Sequence, residues 1–347
     1  MTSGLLPLSE TDPAAIRQYL LRRQMPPPII EWKYFDTSFN RDRERGVVWI
    51  RENGVAGFLG LIPFSIQKRE FRAECAWSCD WSVDPRQGAG VGLLLLQRAR
   101  DLYDGVFNLG GNENTRQIFP RLADRTVPNA AIGLVLPLRL GSLFARLPQR
   151  LRRVLRDRKA LQQLPLRWVR APAGQITRIE PGLSPRVVTL IGDARPVEWR
   201  PIYDAEFFEW QFRRCPAIAC WSVSIALESP LRTAALVWRS TSSQEFWRIL
   251  FCGDTSDLEK IQLVLVAAVS FVYRQGCVAL FTIISHGEKR LLEFFGGRGF
   301  LGHRTLPFYI LRGRSSTLPA DEFSTLNFLD ADLAYRFGQN GVSDEDL

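Results

Sequence analysis

The densest chemical signal is one stretch, Trp77-Ser78-Cys79-Asp80-Trp81-Ser82-Val83-Asp84-Pro85-Arg86-Gln87-Gly88-Ala89-Gly90-Val91-Gly92, which runs on into Leu93-Leu94-Leu95-Leu96-Gln97-Arg98-Ala99. The residue before a proline is pushed to extended geometry, so a strand is predicted to stop at Asp84-Pro85. A short glycine-rich loop then feeds an apolar helix. Such a loop can cradle an anion, because successive backbone N–H groups point into it and the helix N-terminus adds partial positive charge. Glycines permit positive φ and let a phosphate approach the backbone closely. Arg86 adds a fixed cation. The bland alternative is a strand-to-helix turn that binds nothing. Two phosphate motifs are excluded: no Gly-Lys-Ser/Thr follows, and the glycine spacing and context are not those of a dinucleotide fold.

Few other residues suggest different chemistry. His286 and His303 are the only histidines, too few for a histidine-rich metal site. Cys75 and Cys79 stand four apart on a predicted strand without further ligands in view, so no metal is expected. Six cysteines at irregular spacing, behind an N-terminus with no apolar secretory core, point to reduced thiols and a cytoplasmic setting. No apolar run reaches the ~20 residues of a membrane-spanning helix.

The elements around the loop come twice. Glu31-Trp32-Lys33-Tyr34 recurs as Glu209-Trp210-Gln211-Phe212, and Arg125-Thr126-Val127-Pro128 recurs as Arg304-Thr305-Leu306-Pro307. Between these marks each copy carries a hairpin. In the first it is Val47–Ile50, a turn at Glu52-Asn53-Gly54, then Val55–Ile62; in the second it is Trp221–Leu227, a turn at Glu228-Ser229-Pro230, then Thr233–Trp238. In the first copy the pattern predicts helices over 12–24, 91–103 and 113–122 and strands near 47–51, 55–66, 69–83 and 105–109. Asp12-Pro13 supplies the start of the first helix. In the second copy it predicts helices over 256–275 and 288–295 and strands over 277–284 and 305–312. If the strand before the loop is regular, Ser78, Asp80 and Ser82 share one face.

Gln87-x-x-Gly90-x-Gly92 after Val-Asp-Pro resembles the acyl-CoA signature of the GNAT superfamily, and the order of elements around it agrees. The resemblance covers about 10–140 with the motif and about 200–313 in weaker form, as in tandem GNAT proteins. It implies an α/β fold of two tandem GNAT-like domains, each a mixed, mostly antiparallel sheet flanked by helices. The domains would be 1–140 with the acyl-CoA loop, a basic linker at 141–172, and a degenerate copy at 173–347. It further implies an acyl-CoA co-substrate, acetyl or other, whose pyrophosphate would sit on Gln87, Gly88, Ala89, Gly90, Val91 and Gly92 beside Arg86. Val83 backbone would hold pantetheine, and Asn112 would touch the cofactor. An amine or hydroxyl acceptor would attack the thioester directly, with a carboxylate taking its proton; Asp80 and, further back, Glu74 are the candidates. The family's tyrosine acid has no counterpart, since the position counted from Asn112 is Phe119. In the second copy the loop is replaced by Cys252-Gly253-Asp254-Thr255-Ser256-Asp257, acidic and short of glycine.

The net charge of +9 favours an acidic partner. Arginines crowd the segment from Arg139 to Lys159 between leucines at helical spacing. That segment reads as a solvated linking helix or as a surface helix on an anionic membrane, and Pro148 favours the first. Nucleic-acid binding has no recognised module behind it. The resemblance leaves three functions open. The first is acyl transfer to a small-molecule or glycan acceptor, such as an amino sugar in surface-polysaccharide synthesis. The others are a catalytically inactive binding or scaffold protein and a tRNA-dependent aminoacyl transferase of the FemAB type, against which the CoA loop argues.

Overall fold

The computed structural model describes residues 4–139, 177–192 and 200–318, apart from short breaks at 37, 40–41, 53, 69, 88–89, 112, 203–204, 227, 255, 315 and 317. The expected linker, 141–172, and nearly all of the basic stretch to Lys159 lie outside the described residues. The chain runs through β1 (Gly4–Pro7), α1 (Pro13–Arg22), α2 (Pro27–Ile30), β2 (Gly46–Arg51), β3 (Gly54–Lys68) and β4 (Phe71–Val83). It continues through α3 (Gly90–Leu102), β5 (Gly105–Leu109), α4 (Glu113–Leu122) and β6 (Arg125–Pro137). Then come β7 (Thr177–Pro181), α5 (Pro185–Gly192), β8 (Arg200–Ile202), α6 (Ala205–Phe208), β9 (Ile218–Ile225), β10 (Thr233–Ser240) and β11 (Phe246–Gly253). Last are α7 (Leu258–Arg274), β12 (Ala279–Ser285), α8 (Lys289–Gly296) and β13 (Leu301–Arg312). Among the described residues no helix is long and apolar enough to cross a membrane.

Two compact units form, and neither is one continuous stretch. The first comprises Met1–Pro128, Pro196–Glu206 and Pro307–Asp332. Its sheet places β1, β2, β3, β4 and β5 side by side, antiparallel except for the parallel β4–β5 pair, and β8 lies along the end of β3. Phe308–Arg312 of β13 closes it against Gly105–Leu109. That closing strand is tied at both ends. Gly110 N donates to Pro307 O at 2.7 Å, and Arg312 N donates to Asp124 Oδ2 at 2.7 Å. Helix α3 presents Val91, Leu95, Leu96 and Ala99 to Val47, Leu59, Leu61, Ala76 and Val106, with Phe119 and Tyr309 in the same cluster. Each such aliphatic side chain removed from water contributes about 1.5–3 kcal/mol, which fixes the helix on this face. The opposite face is aromatic, with Phe64 stacked on Trp77 at 5.2 Å and Phe107 edge-on to Phe308 at 5.3 Å.

The second unit comprises Asn129–Arg195, Phe207–Leu306 and Leu333–Leu347. Strands β7, β9, β10, β11 and β12 pair in that order, with β11–β12 parallel, and Ala131–Pro137 of β6 closes the sheet against β12. Helix α7 buries Ile261, Val264, Leu265, Ala268 and Val272 in its core. The units thus repeat one plan of hairpin, third strand, helix, parallel strand and helix. Each also starts from a short π-helical turn, at Glu31–Phe35 and Glu209–Arg214. The closing strands are exchanged: the strand after α4 completes the second unit and the strand after α8 completes the first.

Candidate active site

In the first unit β4 and β5 pair only through Cys75–Trp77 with Gly105–Phe107. Beyond that point the strands part. The side chains of Ser78 and Asn108 occupy the wedge: Ser78 Oγ donates to Phe107 O at 3.2 Å, and Asn108 Nδ2 donates to Ser78 Oγ at 3.1 Å. Asn108 Oδ1 is buried without a hydrogen-bond partner. A buried carbonyl without a donor is costly, so this atom calls for a ligand N–H or O–H. Tyr309 is the cross-strand partner of Asn108, and its ring lies 5.4 Å from that of Phe119, which in turn meets Trp81 edge-on at 5.7 Å. Phe119 is therefore a core residue that seats Tyr309. Burial raises the Tyr309 phenol pKa, while the nearby Arg116 guanidinium pulls the other way.

The loop after β4 begins as a 3-10 turn, Pro85–Gln87, in which Arg86 N donates to Asp84 Oδ1 at 3.0 Å and the Arg86 side chain is exposed. Gly88, Ala89 and Asn112 lie outside the described residues. The two later glycines of the motif differ in role. A Cβ at Gly90 would meet nothing within 4 Å, so the missing side chain is not needed for packing. A Cβ at Gly92 would stand 2.8 Å from Trp81 Cζ2, so Gly92 lets the indole lie against α3. Val91 points into the core, leaving only its backbone toward the loop. Val83 ends β4 opposite Gly57, and no strand pairs with its other edge among the described residues.

Strand β4 is not regular, which changes the expected alternation. Cys79 pairs with Gly60 and Ser82 with Phe58, so Asp80 and Trp81 together oppose Leu59 in a β-bulge, and Asp80 adopts φ +46°. The extra residue turns Asp80 away from Ser78. Its carboxylate joins Cys79 beside Tyr34, on the face opposite α3, while Trp81 faces α3 and α4. Asp80 Oδ2 is held by the Lys33 ammonium at 2.7 Å and by the Tyr34 hydroxyl. The Lys33 side chain is 0% exposed, so Asp80 is its counter-charge in the core. Burial and then the Asp80 charge push the Tyr34 phenol well up, which keeps it protonated as a donor. Asp80 Oδ1 has no hydrogen-bond partner among the described residues. Glu74 is not brought to this place. It lies six positions back on β4, about 20 Å along a strand, where it pairs with Arg43 and with Arg72 at 3.4 Å.

The sequence pattern does not mark Lys33, Tyr34, Ser78, Asn108 or Tyr309 as a site residue. The available signal was polar character inside apolar runs, as in Val106-Phe107-Asn108-Leu109. The second unit keeps the parting strands, because β11 and β12 pair only through Phe246–Arg248 with Ala279–Phe281, but β10 and β11 stay in register without a bulge. Its acidic turn is self-satisfied: Asp254 Oδ1 accepts from Ser256 N at 2.9 Å, and Asp257 caps α7 by accepting from Lys260 N at 3.2 Å. Carboxylates thus occupy the amides that would face an anion.

No protein-family model and no curated protein matches the sequence. Solved structures do match. A tandem GNAT protein from the clavulanic acid biosynthesis pathway superposes with TM-score 0.56 at 14% identity, over 91% of this chain and 100% of its own. A GCN5-related N-acetyltransferase from Anabaena variabilis gives 0.54 at 11%, covering 89% of this chain and 72% of its own. Saccharomyces cerevisiae N-myristoyltransferase with bound myristoyl-CoA gives 0.53 at 11%, covering 93% and 82%. Two units on one plan, with parting parallel strands in each, account for that likeness: the chain has the tandem GNAT fold.

Proposed function

We propose that the chain is an acyl-CoA-dependent acyltransferase whose chemistry belongs to the first unit. The observation that carries this reading is the β4–β5 wedge, where a pantetheine amide N–H would find the unpartnered Asn108 Oδ1 and the thioester would lie beside the unpaired edge of β4. The amides of residues 87–92 and Arg86 would hold the pyrophosphate, with Gly90 open to it. Pantetheine would run along Val83. The acceptor amine or hydroxyl would approach from the Asp80 face, attack the carbonyl and form a C–N or C–O bond as the C–S bond breaks. Its proton would go to Asp80 Oδ1, directly or through water, and the thiolate would leave as a thiol. Tyr309, whose ring packs on Phe119, would supply that last proton. The acyl group is acetyl or longer, and an amino sugar or sugar nucleotide in polysaccharide synthesis, handled in the cytoplasm, fits the resemblance.

Calorimetry with acetyl-CoA on the wild type and on Gly90→Glu tests the donor site, followed by thiol release with amine acceptors. Saturable binding that the variant loses at unchanged melting temperature is the expected result. A folded wild type that binds no acyl-CoA would leave a protein that keeps the fold without the chemistry.

A further inference from the structure

On the Asp80 face of β4 a chain of contacts leads outward to an uncompensated positive charge. Ser82 is the cross-strand neighbour of Phe58, whose ring stands edge-on to Tyr34 at 5.0 Å, so Ser82 shares the face of the Asp80 cluster. The Tyr19 hydroxyl of α1 meets Ser82 O and Ser82 Oγ, each at 3.2 Å. Arg23, the residue that caps α1, donates from NH2 to the Tyr19 hydroxyl at 3.3 Å, and its guanidinium carbon lies 5.3 Å from the Tyr19 ring centroid. The side chain is thereby aimed along the face, with most of its donors still open to solvent.

Several other arginines of the first unit are neutralised by carboxylates. Arg17 is paired with Glu31, Arg43 and Arg72 with Glu74, and Arg100 with Asp124. Among the described residues Arg22 and Arg23 form no ion pair, although both cluster on Tyr19. Compensation of the α1 dipole accounts for basic residues in its last turn. It does not account for a guanidinium anchored on the tyrosine that touches β4. Ser82 follows Asp80 by two positions on the bulged end of β4, so the Tyr19 hydroxyl that meets Ser82 joins the Arg23 guanidinium to the face that carries Asp80.

We propose that the acceptor is an anionic amine or hydroxyl compound, whose carboxylate or phosphate is held by Arg23 while its nucleophile meets Asp80. This inference rests on the transferase reading above. A guanidinium presents a planar pair of N–H donors to either anion, so the shared chemistry is a bidentate oxyanion. Neutral sugars would lack this anchor.

The test uses 6-aminohexanol, 6-aminohexanoate and 6-aminohexyl phosphate, which share a chain and an amine. Binding is measured calorimetrically on the full chain with and without CoA, and thiol release is followed with acetyl-CoA. One or both anionic probes should bind at least about tenfold tighter than the alcohol, and the ranking of carboxylate and phosphate names the source. Arg23→Gln should remove that advantage through KM at unchanged melting temperature, and Arg23→Lys should restore part of it. Equal or undetectable binding of all three probes by the wild type overturns the proposal, as does an advantage that survives Arg23→Gln. Acetyl-CoA titrated in the same cell reports separately on the donor site, so a failure of the transferase reading is not mistaken for a failure of this one.

Discussion

At the scale of single residues the key pair is Lys33 and Asp80. Taking two charges out of water is offset only while both are present, so removing one partner costs about 3–5 kcal/mol whatever its catalytic role. Asp80 keeps some contact with solvent, 17% of its side chain, which places Asp80→Asn toward the low end of that range. A loss of activity in that variant alone would thus report folding as much as chemistry. The informative comparison adds Lys33→Met/Asp80→Asn, which removes the charge and its counter-charge together. Denaturant unfolding should show most of the stability returning in the double variant. If Asp80 takes the acceptor proton, thiol release stays absent in the refolded double variant; recovery of turnover would make Asp80 an anchor for Lys33 and nothing more.

At the scale of elements the bulge in β4 decides where that carboxylate points. Gly60 on β3 pairs with Cys79 at the edge of the bulge, and a Cβ there would overlap the Tyr34 hydroxyl and come within 2.9 Å of Cys79 Sγ. Gly60→Ala should therefore push Tyr34 off Asp80 at a cost of about 1–3 kcal/mol. It should lower kcat while leaving acetyl-CoA affinity unchanged, because the loop and α3 lie on the other face. A variant that loses acetyl-CoA binding instead would show that the two faces are coupled. The elements themselves were largely legible in the sequence. The Asp12-Pro13 helix start, the hairpin of the second and third strands, the strand closing at Asp84-Pro85 and the helix expected over 91–103 all recur in the structure, since each rests on local backbone chemistry. The bulge was not legible. Alternation along Ala76–Val83 continues unbroken on paper, and only pairing with Gly60 and Phe58 creates the extra residue. Strand β11 was also unassigned, although the repeat required a third strand after the second hairpin, because its polar and apolar residues follow no clean alternation.

At the scale of the molecule, the sequence repeat and the compact units do not coincide. The closing strands Arg125–Pro137 and Leu301–Arg312 carry nearly the same Arg-Thr-x-Pro start and the same apolar run, so nothing local says which sheet each completes. Their exchange is a property of packing alone. The two units do share a chemical feature that follows from their apolar interiors. All six cysteines are buried thiols, and burial pushes up those of Cys75, Cys220, Cys252 and Cys277, that of Cys252 to about 12. Burial likewise pushes up the Tyr34 and Tyr103 phenols. A group whose pKa is higher in the folded chain than in the unfolded one favours folding fully below its unfolded value, about 8.5 for a thiol and about 10 for a phenol. Above that value the unfolded chain releases protons that the folded chain keeps, so stability falls as pH rises toward the folded values. Stability should accordingly hold between pH 7 and about 8.5 and decline steadily from there to pH 12, in both units. Urea midpoints at half-unit steps of pH, with reductant present, measure this directly. Cys252→Ala, which removes one such thiol, should flatten the alkaline slope relative to wild type. An unchanged slope in that variant would mean that the Cys252 thiol ionises alike in the folded and unfolded chain and that the decline belongs to other buried groups, the phenols among them.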